Sequence, residues 1–158
     1  MLFAIGGHPG FNVPVSQDIN KEDFYFKFQP SNARIRIPYQ GKFLNWDQRY
    51  LASTNSLLGL RDSLFANDAL IYQMRGHDNK LSIRTDSGDF HINVWSRNAP
   101  YMGIWSPYPK VADFVCVECL WGIADTLDAD GNLADKRGMN RLAANSRFNT
   151  GYSISFHI

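Results

Sequence analysis

In Phe90-His91-Ile92-Asn93-Val94-Trp95, the residues Phe90, Ile92 and Val94 alternate with His91, Asn93 and Trp95. A period of two is the pattern of a β-strand with one buried face. The same period recurs at the end of the chain, where Tyr152, Ile154, Phe156 and Ile158 alternate with Ser153, Ser155 and His157, and earlier, where Ile35 and Ile37 flank Arg36, with Arg34 before them. Phe114-Val-Cys-Val117 and Ala69-Leu-Ile-Tyr72 are short continuous apolar runs, which suit strands covered on both faces. Eleven Phe, seven Tyr and four Trp add to the strand bias. Gly76-His-Asp-Asn79 joins the strand near Leu70 to the one near Leu81-Ser-Ile83, and Asp86-Ser-Gly88 reads as the hairpin turn into Phe90. Ala99-Pro100, Ser106-Pro-Tyr-Pro109 and Asp128-Ala-Asp-Gly131 mark further loops. Only residues 55–65 offer a helical turn or two. The expectation is an all-β fold, an antiparallel β-sandwich with a turn every ~8–12 residues.

The 158 residues suit one domain, residues 1–158, with no internal repeat, low-complexity tract or linker. Sixteen Lys and Arg face fifteen Asp and Glu, so a formal charge of +1 supplies no field for nucleic acid or a polybasic membrane contact. Two cysteines are too few for a disulfide scaffold. No apolar run approaches the ~20 residues of a membrane span. The opening Met1-Leu-Phe-Ala-Ile-Gly-Gly-His-Pro9 lacks the basic and apolar regions of a signal peptide. A soluble cytoplasmic protein is the expectation. Leu2-Phe-Ala-Ile5 is already apolar, so the chain begins inside a strand and resembles the second half of something longer.

Several residues carry candidate chemistry. His8 lies in Gly6-Gly-His-Pro-Gly-Phe-Asn12, where glycines permit close approach of a ligand or another strand. Imidazole is the side chain suited to proton transfer near neutrality. A turn that happens to contain a histidine is the plain alternative. Glu118 stands between Phe114-Val-Cys-Val117 and Leu120-Trp121. Burial there would raise its carboxyl toward the range useful for acid–base work; the alternative is a strand-end Glu in water or beside an Arg. Cys116-Val-Glu-Cys119 has redox or zinc spacing, but residues three apart on a strand face opposite sides, so buried packing is the expectation. Asp128-Ala-Asp-Gly-Asn132 fails as a calcium loop: with Gly131 sixth, the twelfth position is Arg137, where a bidentate Glu is needed. An Asx-type turn fits better. Asp68, entering Ala69-Leu-Ile71, is either a loop cap or an acceptor for substrate hydroxyls. Among Trp46, Trp95, Trp105, Trp121 and Phe11, one or two are expected to line a sugar-stacking site and the rest to be core.

Taken together, Phe3-Ala-Ile-Gly-Gly-His-Pro-Gly-Phe-Asn-Val-Pro14, Leu64-Phe-Ala-Asn-Asp-Ala-Leu-Ile71, Tyr101-Met-Gly-Ile-Trp-Ser106 and Val115-Cys-Val-Glu-Cys-Leu-Trp-Gly-Ile-Ala-Asp125 resemble, in this order, the aldose 1-epimerases, and most nearly the LacX-type galactose mutarotase-related branch. Lys136-Arg-Gly138 and Gly151-Tyr-Ser-Ile-Ser155 also fit. The resemblance covers nearly the whole chain but only the C-terminal half of the family's domain. It implies a mutarotase-type β-sandwich that interconverts the α and β anomers of a free aldohexose without any cofactor or metal. By motif, His8 takes the general-acid role on the ring oxygen and Glu118 the general-base role on the anomeric hydroxyl. Asp68 resembles the substrate-binding Asp, with Asn12, Phe11 and Trp105 as further substrate contacts. Two departures stand out. The family places Pro-Trp directly after the Glu, whereas here Cys119-Leu120 intervene before Trp121. Gly10 replaces the commoner Ala. The segment that normally precedes Met1 supplies strands and a substrate-binding Arg, for which no residue is carried over.

The implied partner is a small-molecule sugar, with self-association through exposed strand edges if the chain folds alone. Two other readings remain open. One is a carbohydrate-binding sandwich without catalysis. The other is a glycoside hydrolase pairing Glu118 with Asp68 or Asp125, in which His8 is dispensable. A phosphorylated hexose would need a basic cluster, for which Arg34 with Arg36, or Arg141, are the candidates.

Overall fold

The computed structural model describes residues 1–74, 78–86 and 89–157. Its strands, in chain order, are β1 (Leu2–Phe3), β2 (Ile5–Gly7), β3 (Gly10–Asn12), β4 (Phe24–Gln29), β5 (Arg34–Ile37), β6 (Tyr39–Gln40), β7 (Phe43–Leu44), β8 (Tyr50–Ala52), β9 (Leu58–Gly59), β10 (Leu70–Gln73), β11 (Asn79–Thr85), β12 (His91–Ser96), β13 (Tyr101–Trp105), β14 (Phe114–Trp121), β15 (Asn140–Arg141) and β16 (Ser153–His157). They form a seven-stranded sheet in the order β2-β14-β13-β10-β5-β8, with β3 also on β14, and a five-stranded sheet in the order β16-β12-β11-β4-β9. Two short pairs, β1-β15 and β6-β7, complete the description. Neighbours in the central sheets are antiparallel. The expected turns at Gly76-His77 and Ser87-Gly88, and the expected last strand residue Ile158, lie outside the described residues.

The two large sheets meet through the alternating residues. Phe24, Phe26 and Phe28 of β4, Leu81 and Ile83 of β11, and Ile92 and Val94 of β12 pack against Leu70 and Tyr72 of β10, Met102 and Ile104 of β13, and Val115, Val117 and Cys119 of β14. Burial of these apolar side chains is the main stabilising term, at ~1.5–3 kcal/mol for each large side chain. The opposite face of the seven-stranded sheet carries a smaller cluster built on Ile37, Leu44, Ile71, Tyr101 and Ile123. Strands β10 and β14 are therefore apolar on both sides, which is why their sequences read as unbroken runs.

Three details differ from the sequence expectation. First, residues 2–5 are not one strand: Leu2-Phe3 pair with Arg141 and Asn140, while Ile5 pairs with Trp121. The chain crosses at Ala4, which sits where a Cβ on Gly122 would stand, and Gly122 has φ +149°. Second, within residues 55–65 only Asp62–Phe65 is helical, as a 3-10 turn, and Leu58–Gly59 is a strand. A second 3-10 turn, Lys21–Asp23, is closed by the Asn20 N–H donating to Asp23 Oδ2 at 3.0 Å. Third, β5 keeps the expected alternation, but its arginine face is not left to solvent. Arg34 is 4% exposed. Its guanidinium lies 4.8 Å from the Phe28 ring centre and donates to Thr54 Oγ1 at 2.7 Å, Pro30 O at 2.9 Å and Asn79 Oδ1 at 3.1 Å. Ile35 and Ile37 take the other face, packing with the smaller cluster. Among the described residues no helix is long and apolar enough to cross a membrane.

Candidate functional site

The site grows out of the register of β14. Its odd residues, Val115, Val117, Cys119 and Trp121, enter the core between the sheets. Its even residues therefore face the other way. Glu118 is one of them, and Gly103 of β13 is its cross-strand partner, with Ile71 of β10 next in line. A Cβ on Gly103 would lie 3.4 Å from Glu118 Cβ, Glu118 Oε2 and Ile71 Cδ1. The missing side chain leaves the shallow floor on which the carboxylate rests. On the other edge of β14, Gly7 pairs with Cys119 and Gly10 with Cys116. The register is unchanged across this gap, so His8 stands opposite Glu118 and Pro9 opposite Val117. Directly opposed side chains are ~4.5–5.5 Å apart at Cβ, and the tips meet: His8 Nε2 lies 3.2 Å from Glu118 Oε1.

The glycines before His8 serve packing rather than a tight turn. A Cβ on Gly6 would come 2.7 Å from Leu120 Cδ2, and one on Gly7 would run into the Tyr152 ring. Pro9 offers no N–H, but its carbonyl accepts from the Val117 N–H at 3.3 Å, so the edge stays pinned through the gap. The two members of the pair differ in setting: the side chain of His8 is 61% exposed and that of Glu118 is 12% exposed. His8 also meets Trp105 edge-on, with ring centres 6.0 Å apart.

Both residues open into a cleft of about 600 Å³, a size suited to a small molecule. His8, Tyr39, Asp68 and Glu118 supply its chemistry, and Ile5, Ile71, Trp105, Leu120 and Ile123 its apolar wall. Asp68 enters from the loop before β10 with a left-handed backbone, φ +70°, a conformation that non-glycine residues hold mainly where the surroundings demand it. Its Oδ1 accepts from the Ala69 N–H at 2.7 Å, which fixes the carboxylate. Burial pushes the Glu118 carboxyl above its ordinary range; His8 opposes the shift and Asp68 adds to it. Burial, with the nearby carboxylates of Asp68 and Glu118, pushes Tyr39 up to about 12, so its hydroxyl keeps its proton.

Of the six residues singled out from sequence, the cleft brings together His8, Asp68, Trp105 and Glu118. Phe11 and Asn12 do not line it. Phe11 pairs with Val115 and is buried in the core, against the expectation of a sugar contact. Asn12 shares the face of Glu118 but pairs with Phe114, four residues down β14, which is ~13 Å at the rise of a strand. Trp121 is core. Trp46 sits under the guanidinium groups of Arg49 and Arg137, and Trp95 beside Arg97. Arg34 and Arg36 do not reach the cleft, nor does Asp125, whose Oδ1 pairs with Lys136 at 2.7 Å. Asp130 Oδ1 accepts from the Asn132 N–H at 2.8 Å, the Asx-type turn expected there. Among the described residues no group of three His, Cys, Asp or Glu side chains is gathered as a metal would need. Tyr39 and Gly103 were not singled out. A lone glycine inside the apolar run Tyr101-Met-Gly-Ile-Trp105 is a recognised sign of close approach; nothing in Pro38-Tyr-Gln40 marks Tyr39.

No protein-family model matches the chain. Two solved structures do. The galactose mutarotase related enzyme from Lactobacillus acidophilus is 54% identical, with a TM-score of 0.97 over 100% of this chain and 53% of its own. A galactose mutarotase-like protein from Lactobacillus casei is 26% identical, with a TM-score of 0.82 over 99% of this chain and 54% of its own. The Protein LacX sequences of Lactococcus lactis subsp. lactis, plasmid and chromosomal, are 23% identical over 98% of this chain. The chain spans about half the length of these curated relatives, at 52%. It is thus an antiparallel β-sandwich with the fold of the galactose mutarotase-related proteins, corresponding to about half of their length.

Proposed function

We propose that the chain carries the acid–base pair of an aldose 1-epimerase-like isomerase acting on a free aldohexose. The observation that carries this reading is the His8–Glu118 contact of 3.2 Å at the mouth of a sugar-sized cleft. Anomer exchange needs one proton removed from O1 and one delivered to O5, two oxygens on the same carbon. Neighbouring acid and base groups suit that demand. Glu118 as carboxylate takes the O1 proton while protonated His8 gives one to O5. The C1–O5 bond breaks, C1 becomes an aldehyde, and rotation about C1–C2 presents its other face. The return step reverses both transfers, so the protein ends as it began. Burial makes Glu118 a better base than an exposed carboxylate. Asp68 accepts from sugar hydroxyls, and Trp105 offers an apolar ring to a sugar face.

The hydrolase reading is weaker, because the nearest partner of Glu118 is an imidazole and Asp125 is tied to Lys136. A binding module without turnover is the second reading, favoured by the exposure of the His8 side chain, 61%, which leaves the acid open to water. Polarimetry of freshly dissolved α-D-glucose and α-D-galactose separates the two. Acceleration by the protein that falls ~10²–10⁴-fold in both His8→Asn and Glu118→Gln supports the isomerase. Sugar binding without acceleration supports the module.

A further inference from the structure

The cleft of His8 and Glu118 does not end at Asp68. A second cleft of about 620 Å³ lies beyond it, and the two share Tyr39, Asp68 and Trp105 as a common wall. Past that wall the second cleft is lined by the amide-bearing Gln40 and Asn67 and by Tyr108. Neutral hydrogen-bonding groups beside an apolar ring face are what a pyranose asks of its surroundings. Tyr108 is 46% exposed, so its ring is available to a ligand rather than committed to the core.

Charge narrows the occupant. Among the described residues neither cleft is lined by Lys or Arg, while Asp68 and Glu118 place two carboxylates near the junction. A phosphate or carboxylate substituent would face like charge with no counterion, so the second cleft suits a neutral group.

We infer that the site takes a neutral reducing saccharide of at least two rings, with the reducing ring at His8 and Glu118, the glycosidic link passing Asp68, and the second ring in the cleft of Asn67 and Tyr108. This rests on the epimerase reading for the first ring. The chemistry sets one condition: the anomeric carbon at His8 and Glu118 must be free, so the second sugar is joined through another hydroxyl of the reducing ring.

The test separates the subsite from the catalysis. Methyl β-D-glucopyranoside, which is the reducing ring of lactose alone, and methyl β-lactoside, both unable to open, are titrated calorimetrically into the protein. The expected result is roughly tenfold tighter binding of the two-ring probe, the worth of one or two net hydrogen bonds and a stacking contact. Tyr108→Ala and Asn67→Ala should each erode that preference and leave the one-ring probe unchanged. In polarimetry, the kcat/KM ratio of lactose to glucose should fall in the same variants. Equal binding of the two probes, or a preference that survives both substitutions, overturns the inference. Glucose turnover without a two-ring preference removes only the subsite. A two-ring preference without any turnover removes only the epimerase reading.

Discussion

Replacing Gly103 by alanine should leave a more stable protein that is a slower catalyst. The residue lies within β13 and is not among the glycines with positive φ, so alanine is allowed by the backbone. Its new methyl would make three contacts at 3.4 Å, with Glu118 Cβ, Glu118 Oε2 and Ile71 Cδ1. Those are ordinary van der Waals distances, so nothing need move. The unfolded chain loses conformational freedom, which stabilises the fold by ~0.4–1 kcal/mol, or about 1–4 °C in Tm for a chain of this size. The cost falls on the carboxylate. A methyl against Oε2 excludes water from an oxygen that burial has already made hard to ionise, and it raises that carboxyl further. A rise of one unit removes roughly tenfold of the ionised base at pH well below the original value, and progressively less above it. Polarimetry across pH should therefore show kcat/KM down roughly tenfold on the acid side, with the acid limb displaced upward and the loss shrinking as pH rises. Differential scanning calorimetry supplies the stability half. An unchanged acid limb together with the gain in Tm would refute the argument that Gly103 sets the surroundings of Glu118.

Glu118 has a folded pKa above its unfolded value, so its favourable contribution is complete below about pH 4.3 and is lost as pH rises through the folded value. Glu118→Gln should accordingly raise Tm at pH 7 and give no such gain at pH 4, as read by thermal circular dichroism. Burial pushes Cys116 up to about 11 and Cys119 up to about 12, so neither thiol should react with Ellman's reagent at pH 8 in the folded protein, and both should react in guanidinium. Arg34→Met removes the donor to Thr54, Asn79 and Pro30 from a buried position, and should cost about 3 kcal/mol, or about 6–12 °C in Tm; a loss under about 1 kcal/mol by urea denaturation would mean that the network is replaced by water.

What the sequence discloses depends on how long each strand is. Residues 90–95 and 152–157 alternate over enough positions for the period to show, and all but the first residue of each lie in strands of the five-stranded sheet. Phe24-Tyr-Phe-Lys-Phe-Gln29 alternates as plainly and forms β4, with all three phenylalanines in the core. Strands of two residues, such as β6, β7, β9 and β15, are too short to carry a period, and they form because a neighbouring segment offers partners. The site follows the same logic. His8 and Glu118 stand out because each sits in unusual local company. Tyr39 reaches the cleft only through the path of the chain after β5, which no local pattern encodes. Arg34 misled because a charged residue at the start of an alternation reads as solvent-facing, whereas its four donated hydrogen bonds let it lie inside.

The departure after Glu118 shows why position along a strand outweighs residue identity here. A Pro-Trp pair directly after the glutamate would put its tryptophan at position 120, on the face of Glu118, where Leu120 lines the cleft. Trp121, one residue further on, falls on an odd position and enters the core. The residue beside Glu118 on its own face is two positions away: Leu120 on one side, which lines the cleft, and Cys116 on the other. With Cys119-Leu120 in place of the family's Pro-Trp, the Glu118 side chain is still only 12% exposed and its carboxyl is raised mainly by burial. The same parity disposes of the cysteine pair. Cys119 packs in the core with Val115 and Val117, while Cys116 is close enough to Glu118 for the carboxylate to raise its thiol. The backbone of β14 separates the two sulfurs, and both remain free thiols. One eight-residue strand thus sorts its side chains into a core half and a site half. A shift of its register by one residue would put Glu118 in the core and Cys119 in the cleft.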